Sequence, residues 1–223
     1  MMTALLRYQG ALLLRSRRWL PPVLVLVAFL AIGVQTGGPV LDGFGYAAAG
    51  LLPVTAWLVR VCVTAEPQAA RDCTGAATGP HRVHLAWVLT AGGFAAVLAL
   101  CATLFVAVSA DPRSTDHRVA VPLWPAAGAG FVAALACVLL GLAAGVLTSR
   151  PVLRRRGWDV LLGTLAALLL LVVGASPANA AVTGLVAGST TGQVTVAWWP
   201  VVAAALLATA ATAAACLVSR RRT

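Results

Sequence analysis

Of 223 residues, 61% are hydrophobic and 10% charged, against roughly 25% charged in a water-soluble domain, which excludes an ordinary soluble globule. The sixteen basic residues are all arginine, so a phosphate-binding loop of the G-x-x-x-x-G-K-[ST] type is excluded for want of its lysine. The formal charge of +10 gathers at the ends of apolar stretches rather than on a basic face, which points to membrane orientation and not to nucleic acid.

Residues 1–18, with Leu20 just beyond, put Leu5, Leu6, Leu12, Leu13 and Leu20 on one helical side and Arg7, Arg15 and Arg18 on the other. This predicts an amphipathic helix lying at the interface, with Gln9 and Ser16 intruding on its apolar side. The competing reading, a secretory signal, lacks an A-x-A cleavage site after the apolar run.

Six spans are expected at about 19–34, 46–64, 85–108, 124–148, 160–175 and 198–218, since a hydrocarbon core about 30 Å thick needs roughly 20 apolar residues per helix. Pro21 and Pro22 open the first, where a helix tolerates proline, and Arg60 lies near enough to the end of the second to snorkel. From Asp159 to Arg220 no charged side chain intervenes. Fourteen of the sixteen arginines then fall on one side, Arg113 and Arg118 being the exceptions. The positive-inside bias places both termini, the 65–84 connection and residues 150–157 in the cytoplasm.

Two connections stand out. Between spans two and three, Glu66-Pro67 and Gly79-Pro80 bracket about eleven helix-compatible residues, which predicts a short cytoplasmic helix. It carries Glu66, Gln68, Arg71 and Asp72, followed by His81, Arg82 and His84, and reads equally as a docking knob or as a solvated loop helix. Between spans five and six, the uncharged text SPANAAVTGLVAGSTTGQ is expected to be re-entrant from Pro177 to Gly188 or to lie on the membrane surface. Asn179 and Thr183 would then face other helices, with Val182 and Leu185 in apolar surroundings.

Ionisable residues are essentially missing at mid-depth, where a proton- or sodium-coupled carrier would be expected to hold one. Asp159 suits a helix N-terminus. His81, His84 and His117 are all expected in loops, which removes a Ser–His pair and a haem ligand from the spans. No catalytic and no metal-binding residue is assigned. The five cysteines, Cys62, Cys73, Cys101, Cys137 and Cys216, read as small core residues. Gly141 and Gly145, at G-x-x-x-G spacing, are expected to serve packing within the chain.

In order, these parts form an all-α integral membrane protein. It has an N-terminal interfacial helix, six transmembrane helices, a helical loop between spans 2 and 3, a re-entrant element between spans 5 and 6 and an arginine-rich tail. That layout resembles the permease subunits of bacterial ABC exporters with the type V fold. RSRRWLPP, LLPVTAWLVRVCVTAEPQAARDCTGAATGPHRVHLA and SPANAAVTGL are similar to stretches of actinobacterial members. The resemblance implies that the loop after span two is the coupling helix that fits an ATPase, which would give Glu66, Pro67, Arg71 and Asp72, with Arg82 beside them, the docking role. Pro177, Asn179, Val182 and Leu185 would belong to the outer re-entrant element. It further implies a bacterial inner-membrane location, a second permease copy or homologous permease, two separate ATPase subunits, and ATP and Mg bound by those subunits with no cofactor on this chain. An apolar or amphipathic cargo fits the scarcity of charge. A stand-alone channel or carrier and a membrane assembly protein are the alternatives.

Overall fold

The computed structural model describes residues 2–149 and 158–220. Their secondary structure is helical apart from two isolated bridges. The helices are α1 (Met2–Ser16), α2 (Leu20–Gly33), α3 (Val40–Ala65), α4 (Gln68–Thr78), α5 (Pro80–Ser109), α6 (Leu123–Thr148), α7 (Trp158–Val172), α8 (Pro177–Thr191) and α9 (Trp199–Arg220). Among the described residues, four helices are long and apolar enough to cross a membrane: Val40–Ala65, His81–Ser109, Leu123–Thr148 and Trp199–Leu217. The helices α2 and α7 measure only about 21–23 Å at 1.5 Å per residue. Each belongs to a bent pair, α1 with α2 at 71° and α7 with α8 at 48°, and counting each pair as one span raises the number to six.

The core is built on α3, whose Val40, Leu41, Phe44, Leu51, Leu52, Leu58 and Val59 are almost wholly buried. Its principal partner is α6, and the approach depends on glycine. A Cβ on Gly141 would lie 2.5 Å from the Leu52 carbonyl oxygen, and one on Gly145 would lie 2.9 Å from that of Ala56. The G-x-x-x-G spacing thus serves packing within the chain, as expected, by letting two backbones meet. A stripe of small residues on α9, Ala204, Ala208, Ala211 and Ala215, is likewise buried, with Ala208 and Ala211 against Ala143 of α6. On α5, Ala91, Ala95, Ala99 and Ala102 turn inward while Val97, Leu100, Leu104 and Phe105 stay exposed. A bundle that keeps large apolar side chains on its surface is compatible with a multi-pass membrane protein.

Several boundaries differ from the expectation. Helix α3 starts at Val40 rather than near Tyr46 because Pro39 opens it, accepting from Gly43 N at 3.1 Å, and because Gly43 and Gly45 face close neighbours, Val106 and Val186. The α4–α5 connection shrinks to Gly79, whose φ of +89° only glycine adopts readily. His81 and His84 consequently stand on α5 instead of in a loop, and His84 is buried, 2% exposed. A histidine thus stands within the bundle, contrary to the expectation that all three lie in loops. Of the cysteines, Cys62 and Cys137 are buried, but Cys73 and Cys101 are exposed. Residues 150–157, with Arg150 and Arg154 to Arg156, and the terminal Arg221 and Arg222 lie outside the described residues.

Candidate functional site

Proline dictates the corner between α3 and α4. Pro67 disfavours helical backbone at the residue before it, and Glu66 is extended at φ −86°, ψ 128°. That ends α3 and swings the Glu66 side chain inward, where it is 3% exposed. Three donors from three helices meet its carboxylate: Gln9 Nε2 of α1 at 3.0 Å and Trp87 Nε1 of α5 at 3.3 Å on Oε2, and Thr74 Oγ of α4 at 3.2 Å on Oε1. A buried carboxylate persists only when its lone pairs are occupied in this way.

Arginine finishes the corner. The Arg71 guanidinium lies 4.9 Å from the Trp87 ring centroid, a cation–π stack, and donates to the carbonyls of Val63 and, at 3.4 Å, Glu66. Arg18, from the elbow between α1 and α2, donates to the Thr64 carbonyl at 3.1 Å. Two guanidiniums distant in sequence thus satisfy the last carbonyls of α3 and complement the negative end of its dipole. His84 sets its ring edge-on to Trp87, with centroids 6.0 Å apart, and its Nε2 has no hydrogen-bond partner.

The helix α4 matches the expected bounds, but its faces are sorted in a way spacing did not reveal. Arg71, Thr74 and Thr78 turn towards the bundle, while Pro67, Ala69, Cys73, Ala76 and Ala77 are exposed, as are His81 and Arg82 at the start of α5. Of the candidate docking residues, Pro67 and Arg82 are thus on the outside, Glu66 is inside and Arg71 is half-buried beneath it. The side chain of Asp72 lies outside what is described. A cleft of about 250 Å³ lined by Ala4, Leu5, Tyr8, Thr74 and Thr78 separates α1 from α4.

Gln9 and Trp87 are the members of this corner that the residue pattern failed to single out as functional. Gln9 did leave a signal. It shares a buried stripe with Leu5 and Leu13, and a polar residue inside an apolar stripe calls for a partner. Trp87 had none, because an indole within an apolar helix reads as core.

The helix α8 packs along the N-terminal half of α3, and the chain breaks before it, between α7 and α8. Ser176 accepts from Ala178 N at 3.2 Å, an N-cap followed by Pro177 in the first helical turn. Asn179 Nδ2 donates to the Leu171 carbonyl at 2.7 Å, satisfying one of the last carbonyls of α7. Pro177 and Leu185 are buried and Val182 is half-buried, close to Gly45 of α3. Asn179 faces the protein as expected. Thr183 does not: it is exposed, and its hydroxyl donates to Asn179 O at 2.7 Å within its own helix, so no neighbouring helix is needed to satisfy it. Nearby, Thr115 joins the 110–121 connection to both ends, meeting Ser189 Oγ at 2.9 Å and Asp42 at 3.4 Å.

Compared with known proteins, the chain matches no family model, no curated protein and no solved structure.

Proposed function

We propose that the chain is the membrane-spanning permease subunit of an ATP-driven exporter, with six spans, both termini in the cytoplasm of a bacterial cell and α4 as the element that couples it to a separate ATPase. On this reading two permeases, identical or homologous, pair in the inner membrane and two ATPase subunits bind ATP and Mg. The chain itself catalyses nothing. ATP binding closes the ATPase pair, α4 moves with it, and the permease interface changes its access for an apolar or amphipathic cargo.

One observation carries the reading: α4 is a short helix tied through Glu66 to α1 and α5 while its other face is left to solvent. A force applied to that face reaches three helices at once, because a satisfied buried polar cluster deforms less readily than apolar packing alone. The docking face is then Pro67, Ala69, Cys73, Ala76 and Ala77, rimmed by His81 and Arg82, and Glu66 and Arg71 act behind it by holding the helix. Counted as one broken crossing each, the two bent pairs bring the spans to six, α1–α2 as span one and α7–α8 as span five.

Affinity purification in mild detergent, with mass spectrometry of what stays bound, tests this. A co-purifying polypeptide with a lysine-containing phosphate-binding loop is expected, lost on Ala76→Arg. A different partner, or transport by the purified chain without nucleotide, would contradict the reading.

A further inference from the structure

The bundle holds a cleft that the coupling argument leaves unused. It encloses about 230 Å³ between α2 and α7 on the flank of α3 and is lined by Val25 and Phe29 of α2, Gly50, Pro53, Val54 and Trp57 of α3, Gly163 of α7 and, at one end, Arg60 with Thr148 and Ser149. Its shape has a local cause. Gly50 has no Cβ, and one placed there would lie 2.6 Å from the Phe29 ring, while a Cβ on Gly163 would lie 3.3 Å from the Thr148 hydroxyl. These residues bring α2 onto α3 and α7 onto α6, and the space between α2 and α7 stays open along an apolar floor.

The end of the cleft is chemically unlike its length. Arg60 lines this end of the cleft and is half-exposed, while its Nη1 is enclosed by protein and has no hydrogen-bond partner. Arg60 stands five residues before the last residue of α3, Ala65, or about 7.5 Å along the axis, a depth from which arginine reaches headgroup level. The guanidinium of Arg18 is engaged with the carbonyl of Thr64 one turn further on. The cleft is therefore apolar along its length and cationic where the bundle ends.

We propose that this cleft binds an anionic phospholipid, with one acyl chain along Phe29, Pro53, Val54 and Trp57 and the phosphodiester on Arg60. A phosphate oxygen is the acceptor that the planar fork of a guanidinium lining the cleft fits best. The volume is below the roughly 300–1,000 Å³ of sites for drug-sized molecules, which suits a single flexible chain better than a bulky rigid ligand. A zwitterionic lipid fills the floor equally well but offsets the phosphate with its own cation. Selectivity therefore resides in Arg60 and not in the apolar lining. The assignment rests on the membrane reading and is independent of the transport one.

Trp57 supplies the reporter, since it lines the cleft. The full chain is reconstituted in phosphatidylcholine vesicles containing a minor fraction of either phosphatidylglycerol or phosphatidylcholine with brominated acyl chains. Tryptophan emission is compared with that of Trp57→Phe to isolate the one indole. Brominated phosphatidylglycerol is expected to quench Trp57 at about fivefold lower mole fraction than brominated phosphatidylcholine, the preference one arginine near the surface confers. Arg60→Gln should abolish the preference and Arg60→Lys should keep most of it. Equal quenching by the two lipids in the wild-type chain would overturn the proposal, whether or not the Arg60 variants fold. If the chain floats with neither kind of vesicle, the membrane reading falls and this assignment with it; flotation with equal quenching sinks the lipid site alone.

Discussion

The two ends of α3 are held by different physics. At its C-terminal end a carboxylate collects donors from Gln9, Thr74 and Trp87 while Arg71 and Arg18 cap the last carbonyls. Beside its N-terminal half α8 lies against apolar side chains, tied by Asn179 to Leu171 across the break from α7 and by Ser189 to Thr115, which also meets Asp42. A polar cluster satisfied from several helices fixes orientation as well as distance, because each bond is directional. Apolar packing is non-directional and constrains orientation less. The contrast teaches that the α4 corner is fixed in orientation by bonds from α1, α4 and α5, whereas α8 is held by apolar packing along its length and by polar ties only towards its two ends.

The largest effect should come from breaking the stiff end. Glu66→Ala leaves the Gln9 amide and the Trp87 indole buried without an acceptor, at about 3–5 kcal/mol for the two together. Thermal unfolding in detergent would show this as a large loss, with Glu66→Gln retaining much of the stability because its amide oxygen still accepts. If Glu66→Ala melts like wild type, the corner is not a rigid unit. Gln9→Leu is the matched probe from the other side, removing one donor for about 1–2 kcal/mol.

At the soft end, charge rather than lost bonding should do the damage. Leu185→Asp puts a carboxylate where Leu185 is now buried, at roughly 2–4 kcal/mol at moderate depth, so assembly or export should fall. Asn179→Ala should cost only about 1 kcal/mol, because just one carbonyl of α7 loses its donor. A stability loss for Asn179→Ala as great as for Glu66→Ala would erase the distinction between the two ends. The smallest effect separates docking from folding: Ala76→Arg, on the exposed face of α4, should leave the unfolding free energy within about 0.5 kcal/mol of wild type while abolishing partner retention.

Much of this was legible in the residues. Charge-free runs place α3, α5, α6 and α9, and the brackets Glu66-Pro67 and Gly79-Pro80 give α4 its bounds, because proline and glycine act on the local backbone. Gly141 and Gly145 announce a close helix approach for the same local reason. What could not be read was direction. Glu66 precedes a proline, so its helix had to end there, but whether its carboxylate turned out or in depended on Gln9 and Trp87, which arrive from 57 and 21 residues away. His84 stands on α5 rather than in a loop for a related reason: the connection to α5 is as short as Gly79 only because Gly79 adopts a positive φ, and that conformation belongs to the assembled corner.

The central claim is that the exposed face of α4 meets an ATPase. Cys73 is exposed on that face and gives the most direct measurement: with Cys101 and Cys216 replaced by serine, a short bifunctional thiol reagent is applied to membranes and the cross-linked product of Cys73 is identified by mass spectrometry. The account predicts one dominant product, a polypeptide carrying the phosphate-binding loop and lysine that this chain lacks, with a yield that changes on adding ATP. Cross-linking to no such protein, or modification of Cys73 by a membrane-impermeant reagent from outside intact cells, would contradict it.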